Sequence, residues 1–257
     1  TINGYWFSCK MPVPDPYKDK PEGYVPPKPN KITEEEIREK FAEVAECSFH
    51  SIPQRRLRDD VLKHFGIRVG VSQTDGKTPT SAFLPYYKDG ELVRMKVRLL
   101  DKKNMWSYSL DTDVDLFGWE QAITSGARRL IITEGEFDAV ALTKILEMYT
   151  PEKYKDMIPA VVSIPNGSAT AAKDIARLLP KIRKQFKDQD ISLCFDGDEA
   201  GQTATEAVLK LIPLATVVTL PHKDANECLM KGSGKKAYQA TTFRAEKAKN
   251  TKLVWGH

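Results

Sequence analysis

The sequence predicts an α/β protein: a mostly parallel sheet with helices on both faces, preceded by a smaller basic α+β subdomain. From about residue 116, short apolar runs alternate with helical patterns, an order typical of a parallel sheet covered by helices. Two of these runs, 130–133 and 191–195, pass directly into carboxylates. Residues 31–115 differ, because they contain strand candidates joined by a hairpin turn and many basic side chains.

The first 115 residues divide into a linker and the basic subdomain. Seven prolines between Pro12 and Pro29 exclude regular structure and predict a semi-rigid linker over residues 1–30. A capping-box pattern at Thr33 and Glu36 predicts the start of a helix, and a second helix is expected to begin near Pro53. Strands are expected at 67–71, 81–87 and 92–100, with a hairpin turn at 88–91.

The α/β part is expected over residues 116–230. The predicted helices cover 119–125, 136–148, 169–187 and 201–211, and the predicted strands cover 129–133, 160–164, 191–195 and 215–220. The residues from 231 to the end carry seven basic side chains against one acidic one. They are expected to form a basic tail or linker.

Charge is distributed unevenly, although the net charge is only +4. Residues 88–103 contain six basic and three acidic side chains, and strand alternation places Arg94, Lys96 and Arg98 on one face. A basic rim beside an acidic pocket suits an enzyme that handles polyanions. For any single lysine, a solvated surface is the simpler explanation.

Composition also limits where the protein is expected to work. With 41% hydrophobic residues the chain can form a core, and it has no long apolar run, so no membrane span is expected. The four cysteines are scattered, and no secretory leader follows Thr1. Both features favour a reducing, cytoplasmic compartment.

Carboxylates at the ends of two predicted strands are the strongest functional signal. Glu134 follows one strand, and Asp196 and Asp198 follow another. Because the carboxyl ends of parallel strands meet at one edge of a sheet, we expect these side chains to lie close together. Such a cluster repels itself without protons or cations, and its oxygens suit Mg²⁺. The pattern predicts metal-dependent phosphoryl transfer.

Three acidic motifs in this order resemble the Toprim domain of bacterial-type primases, topoisomerases and some nucleases. The motifs are Glu134-Gly135-Glu136-Phe137-Asp138, Asp196-Gly197-Asp198 and Lys223-Asp224-Ala225-Asn226-Glu227. A lone Asp-x-Asp is weak, since acidic turns are common. Three acidic motifs, each following a predicted strand, are specific.

The resemblance narrows to T7-like phage primase–helicases over about residues 48–230. There a basic subdomain with a Lys-Val-Arg element precedes the Toprim core, and here Lys96-Val97-Arg98 occupies that place. Residues 5–9 look like the last ribbon of the zinc-binding domain that precedes such primases, but Cys9 is the one candidate ligand there. Either this chain begins inside that domain or the domain has degenerated. Zinc is therefore expected only in a missing upstream domain, and the helicase half is absent because no Walker A motif occurs.

The resemblance implies roles for individual residues. Glu134 is a candidate general base or an indirect metal ligand, and both possibilities stay open. Helix-dipole compensation is an equal alternative for Asp138, and a capping role rivals metal binding for Asp224. Metal ligation (Mg²⁺ or Mn²⁺) is expected of Glu134, Asp138, Asp196, Asp198 and Asp224, and nucleotide or template binding of Lys96, Arg98, Lys102, Lys103 and Gly167.

By resemblance, the chain is expected to be a DNA primase, a nucleotidyltransferase that makes short RNA primers for replication. Its expected partners are a single-stranded DNA template, ribonucleoside triphosphates, the RNA primer, a hexameric helicase domain and a DNA polymerase, in the cytoplasm of a phage-infected bacterium. One alternative is a Toprim nuclease that cleaves nucleic acid. Another is a non-catalytic nucleic-acid-binding module of a replicative helicase.

Overall fold

A computed structural model describes residues 32–243 and 246–247, with backbone alone at 243, 246 and 247. The helices are α1 (Glu34–Ala45), α2 (Asp59–His64), α3 (Trp119–Thr124), α4 (Glu136–Tyr149), α5 (Ala171–Gln185), α6 (Glu199–Leu209), α7 (Ala225–Met230) and α8 (Gly234–Phe243). The strands are β1 (Arg68–Val71), β2 (Pro79–Lys88), β3 (Glu91–Leu99), β4 (Met105–Ser109), β5 (Leu130–Thr133), β6 (Ala160–Ser163), β7 (Ile191–Cys194), β8 (Thr216–Val217) and β9 (Glu246–Lys247).

Two sheets organise the described residues. The first is antiparallel in the order β1-β2-β3-β4, and the second has the order β6-β5-β7-β8-β9. In the second sheet β6, β5, β7 and β8 are parallel, and β9 is antiparallel at the edge. All four residues of β5, Leu130–Thr133, are buried, as expected for a central parallel strand with helices on both faces. The predicted fold class is confirmed.

The two parts of the chain share one core. Leu62 and Phe65 from the first part belong to the same buried cluster as Phe137, Val140 and other side chains of α4. Where the first part of the chain leads into the second, Phe117, just before α3, and Ser163, at the end of β6, exchange two backbone hydrogen bonds of 2.9 and 3.1 Å. The antiparallel sheet is therefore held against the parallel one.

Ion pairs join the β2–β3 hairpin and the segment before α3 to helix α5. Lys181 on α5 donates to Asp115 at 2.6 Å and to Asp89, at the tip of the hairpin, at 2.9 Å. Asp115 is buried. Together with the shared core, this contact sets how β3 faces the carboxyl ends of β5 and β6.

Local signals in the sequence explain several boundaries. The capping box at α1 forms as predicted: Glu36 N–H donates to Thr33 Oγ1 at 3.2 Å, and Thr33 N–H donates to Glu36 Oε2 at 2.7 Å. The helix expected to begin near Pro53 is instead a 3₁₀ turn, Pro53–Arg55, followed by α2 from Asp59. Arg56 explains the break, because its φ of +53° is incompatible with a continuous right-handed helix.

The segment from residue 231 differs from the expected tail. Helix α8 forms there, and Ala237 and Ala240 are buried in the core beside α4. The two small side chains let the helix approach closely, a feature that a low aliphatic content hides. Strand β4 and helix α7 were also not predicted, and the strand expected at 215–220 is only β8, Thr216–Val217. The predictions of a linker and a zinc-domain remnant in residues 1–30, including Cys9, concern residues outside those that the structure describes.

Candidate active site

The candidate site is a cavity of about 550 Å³ at the carboxyl ends of β5, β6 and β7. Four residues of the predicted carboxylate set line it: Glu134, Asp138, Asp196 and Asp224. The sheet brings them together because the strands are parallel and end at one edge. Arg55, Lys96 and Arg98 from the first part of the chain line the same cavity. The site therefore lies between the two parts.

Glu134 directly follows β5. Its Oε2 atom is buried and has no hydrogen-bond partner, which is unusual, since buried polar atoms are nearly always paired. Position 135 favours glycine, because a Cβ there would lie 2.6 Å from Asp138 Oδ2. A proton or a cation would satisfy this unpaired oxygen.

Asp196 and Asp198 follow β7 and differ in environment. Asp198 caps α6, with Oδ1 accepting the Gly201 N–H at 3.0 Å, and this bond together with Lys223 lowers its pKa. Asp196 is half-buried; burial, followed by the charges of Glu134 and Asp224, raises the pKa of Asp196 to about 6. Repulsion from the neighbouring carboxylates therefore adds to burial in raising the pKa of Asp196.

Asp138 and Asp224 form a second pair. Asp224 caps α7, accepting the Glu227 N–H at 2.6 Å, and Asp138 Oδ1 accepts the Asn226 N–H at 3.0 Å. Burial, followed by the negative charge of Asp224, raises the pKa of Asp138 well above its usual range. The expected capping role of Asp224 is therefore present, and burial beside this carboxylate favours the protonated form of Asp138.

Lys223 lies across the acidic segment after β7. Its Nζ is 2.9 Å from Asp198 Oδ2 and 3.5 Å from Asp196 Oδ2. The backbone fixes this position, because the Gly197 N–H donates to the Lys223 carbonyl at 2.8 Å. Lys223 of the third acidic motif thus places a positive charge beside the two aspartates of the second motif.

Glu136 belongs to a buried network between the two sheets. It is 5% exposed and forms an ion pair with Lys96 on β3. Tyr86 Oη donates to Glu136 Oε1 at 2.5 Å, and Lys96 Nζ also donates to the Pro165 carbonyl at 2.8 Å. Burial would raise the pKa of Glu136, but the adjacent ammonium and the hydrogen bonds outweigh it, and the pKa is lowered. Lys96 therefore neutralises a buried carboxylate in this structure.

Hydrogen bonds with side chains of β3 and α5 hold the loop after β6 in place. Arg94 is buried and donates to Asn166 Oδ1 at 3.2 Å and to the Thr112 carbonyl at 2.6 Å. Asn166 Nδ2 in turn donates to Asp174 on α5 at 3.1 Å. Gly167 sits at the cavity edge with φ +78°, a conformation that favours glycine.

Two guanidinium groups lie against one aromatic ring in the wall of the cavity. Arg55 and Arg98 lie 4.5 and 5.2 Å from the centre of the Phe137 ring. Arg55 is held in place by Asn226: Nη1 donates to Asn226 Oδ1, and Asn226 Nδ2 donates to the Arg55 carbonyl, both at 3.0 Å. Neither guanidinium has an ion pair among those formed by the described side chains. This wall is suited to an anion.

The sequence-predicted residues divide into three groups. Seven line the cavity: Glu134, Asp138, Asp196, Asp224, Lys96, Arg98 and Gly167. Asp198 lies beside it through its contact with Lys223. Lys102 and Lys103 are exposed in the β3–β4 loop and do not line the cavity.

Two functional contacts escaped the sequence reasoning. Neither Glu136 nor Arg55 is among the predicted site residues. The acidic motif and the arginine-rich turn were visible in the sequence. Their partners were not, since Asn226 is 171 residues from Arg55.

The carboxylates fit a hard divalent cation by their donor chemistry. Within the described part of the chain, no three His, Cys, Asp or Glu side chains are grouped closely enough to hold a metal ion. Protein donors explain this arrangement, because Asp198, Asp224 and Asp138 accept backbone N–H groups and Lys223 contacts Asp196. The unpaired Glu134 oxygen and the raised pKa of Asp196 are the features that a cation would relieve.

Comparisons with known proteins agree with this architecture. Residues 131–229 match a family model described as Toprim-like. The chain is 32% identical over 155 residues to the DNA helicase/primase of Enterobacteria phage T3, covering 58% of this chain. That match spans 24% of the T3 protein, so the chain corresponds to about a quarter of that relative's length.

Solved structures of phage T7 proteins extend the match. The primase fragment of the T7 primase–helicase is 26% identical, with a TM-score of 0.63, covering 86% of this chain and 83% of the other. A T7 assembly, described as lagging-strand DNA polymerase interacting with primase domains bound to an RNA/DNA hybrid and dTTP, includes a chain that is 28% identical, with a TM-score of 0.60. It covers 75% of this chain and 90% of that one. The predicted resemblance is confirmed: residues 131–229 are Toprim-like, and the chain is similar in sequence and structure to the primase part of the T7-like primase–helicases.

Proposed function

We propose that this chain is the RNA-polymerising part of a DNA primase. It joins ribonucleoside triphosphates on a single-stranded DNA template into a short primer for replication. One observation supports this most directly: four carboxylates and two guanidinium groups line a single cavity. Carboxylates suit the reacting end of a nucleotide with its metal, and guanidinium groups suit its phosphates.

The reaction balances without any further reactant. The primer 3′-oxygen forms a bond to the α-phosphorus of the incoming nucleotide, and the bond between that phosphorus and the bridging oxygen breaks. Pyrophosphate leaves, and the 3′-hydroxyl proton is transferred to a base or to water. A divalent cation, Mg²⁺ or Mn²⁺, would neutralise the triphosphate and the departing pyrophosphate when bound. Glu134, Asp138, Asp196, Asp198 and Asp224 are the residues that would hold it.

The chain's own side chains have distinct tasks in this proposal. Glu134, with its unpaired buried oxygen, accepts the hydroxyl proton or orients the metal's water ligands. Arg55 and Arg98 hold phosphate oxygens, since a guanidinium can bind them bidentately. Lys96 is engaged by Glu136, so its contribution to nucleotide binding acts through the position of the Pro165 loop. Lys102 and Lys103 are left for the template backbone.

The relatives suggest the partners. A hexameric helicase domain in the full-length protein, a replicative DNA polymerase and an RNA primer fit the activities named for the T3 and T7 proteins. Within the described residues no helix is both long and apolar enough to cross a bilayer. We propose the cytoplasm of a phage-infected bacterium as the site of action.

The test is metal-dependent extension of a ribodinucleotide on single-stranded DNA with ribonucleoside triphosphates. Asp196→Asn and Asp198→Asn should each lose about 100-fold in extension rate, while Asp156→Asn, an exposed carboxylate on the turn before β6, should extend like wild type. Wild-type synthesis by both site variants would remove these residues from the active site. Metal-dependent cutting of nucleic acid without added nucleotides would indicate a nuclease instead. No extension together with no binding of Mg²⁺ and ATP would indicate a non-catalytic module.

A further inference from the structure

Lys223 has a position that metal-dependent catalysis does not by itself require. Its ammonium group contacts Asp198 at 2.9 Å and Asp196 at 3.5 Å, the two carboxylates with metal-ligand spacing on the segment after β7. The side chain is 53% exposed. It is therefore a solvent-exposed ion and not a buried one.

The backbone of Lys223 is held by hydrogen bonds that do not involve its ammonium group. The Lys223 carbonyl accepts the Gly197 N–H at 2.8 Å, and the Lys223 N–H donates to Glu227 Oε2 at 3.0 Å. These bonds hold the Cα beside the acidic segment in either side-chain position. Replacing the side chain should therefore leave the segment itself in place.

Charge explains why the ammonium lies there. Two carboxylates on one short segment, with Glu134 and Asp224 acting on Asp196 from the neighbouring segments, form a concentrated negative charge. The Lys223 ammonium group contacts both carboxylates of this segment. The side chain is thus a cation that occupies oxygen atoms which a divalent ion would need.

We propose that Lys223 is an internal counter-ion of this site, which neutralises Asp196 and Asp198 in the metal-free protein and is displaced when a divalent cation binds. The displaced ammonium stays at the cavity wall, which Lys223 lines, and there it contacts the phosphates of the nucleotide. This inference rests on the proposed function, because it assumes that the pair binds metal. It adds that one lysine weakens metal binding in the absence of nucleotide and strengthens nucleotide binding in the presence of metal.

The two effects have opposite signs, which a purely structural role would not produce. Lys223→Met should bind Mn²⁺ roughly two- to fivefold more tightly than wild type, the range expected for losing one partly exposed ionic competitor. The same variant should bind ATP in the presence of Mg²⁺ more weakly by a similar factor. Lys223→Arg retains the charge and should stay close to wild type in Mn²⁺ affinity.

The experiment is titration of the protein with Mn²⁺ alone, followed by the signal of the free ion in electron paramagnetic resonance, and then calorimetric titration with ATP at saturating Mg²⁺. Lys210→Met is the matched control, because Lys210 is an exposed lysine at the far end of α6. Its Mn²⁺ affinity should equal that of wild type. Thermal unfolding in a chelator checks that each variant is folded.

The outcomes separate this inference from the function on which it rests. Tighter Mn²⁺ binding and weaker ATP binding by Lys223→Met together support the displacement. Equal or weaker Mn²⁺ binding by Lys223→Met, with binding abolished in Asp196→Asn, overturns the counter-ion role and leaves the metal site intact. No Mn²⁺ binding by wild type or Lys223→Met overturns both.

Discussion

The buried pair of Glu136 and Lys96 allows a quantitative test of how the two parts of the chain are joined. In Glu136→Gln the side chain keeps its size but loses its charge. The Lys96 ammonium then remains in a site where its side chain is 14% exposed and that of residue 136 is 7% exposed. Removing one partner of a buried pair costs about 3–5 kcal/mol, because it leaves an uncompensated charge.

The structure favours the lower end of that range. Lys96 keeps its hydrogen bond to the Pro165 carbonyl at 2.8 Å and its contact with Tyr86 Oη at 3.2 Å, and the new amide oxygen still accepts one bond. We therefore expect Glu136→Gln to lose about 3 kcal/mol of unfolding free energy. For a chain of this size the corresponding drop in melting temperature is about 6–12 °C.

Urea and thermal unfolding followed by circular dichroism measure this loss. Glu152→Gln is the control, because Glu152 pairs with Lys155 on the surface with its side chain 86% exposed, and no measurable change is expected. Adding Lys96→Met to Glu136→Gln removes the unpaired ammonium, so the double variant should recover part of the stability. A loss below about 1 kcal/mol in Glu136→Gln, the range of exposed pairs, would refute the assignment of a buried, uncompensated ammonium.

The pH dependence of the same pair has a definite sign. The pKa of Glu136 is lowered in the folded protein, so its contribution is fully present above the unfolded value of about 4.3 and is lost as the pH falls through the lower folded value. Wild type should therefore lose more stability on acidification below about pH 4 than Glu136→Gln does. Parallel acid-unfolding curves would contradict this.

Two further predictions concern the acidic segment after β7. Divalent-cation binding should strengthen as the pH rises through about 6, because Asp196, whose pKa is raised to about 6, must lose its proton to ligate the ion. Mn²⁺ titrations at about pH 5.5 and about pH 7.5, on either side of that pKa, measure this change. Equal affinities at the two pH values would contradict it. Gly201→Ala should displace this segment and weaken Mn²⁺ binding, because its Cβ would lie 2.1 Å from the Asp196 carbonyl oxygen. Thr203→Ala, at an exposed position on the same helix α6, is the control for Mn²⁺ affinity, and equal weakening in both variants would contradict the steric explanation.

The regular alternation of apolar runs and helical patterns was sufficient to predict the parallel sheet, because burial on both faces requires continuous apolar strands. The acidic motifs could be located for a related reason. The first two motifs follow closely on β5 and β7, and strand ends of a parallel sheet converge. The capping box of α1 was readable because its two partners are three residues apart.

Other elements carry weaker local signals. Helix α8 buries two alanines, which contribute little hydrophobic periodicity. Strand β4 is recognisable only by its pairing with β3, for instance Val97 with Trp106. Its sequence alone does not distinguish it from a loop.

The sequence by itself determined the fold class, the order of the acidic motifs and the resemblance to Toprim-domain primases, because these depend on residues close together along the chain. Only the tertiary structure decided which charges meet. Lys96 pairs with Glu136, 40 residues away, and Lys223 lies on the aspartates of the preceding motif. Such pairings depend on how the antiparallel sheet packs against the ends of the parallel one, and that packing is set by the shared core of α4, Leu62 and Phe65. Patterns of local spacing contain no information about it.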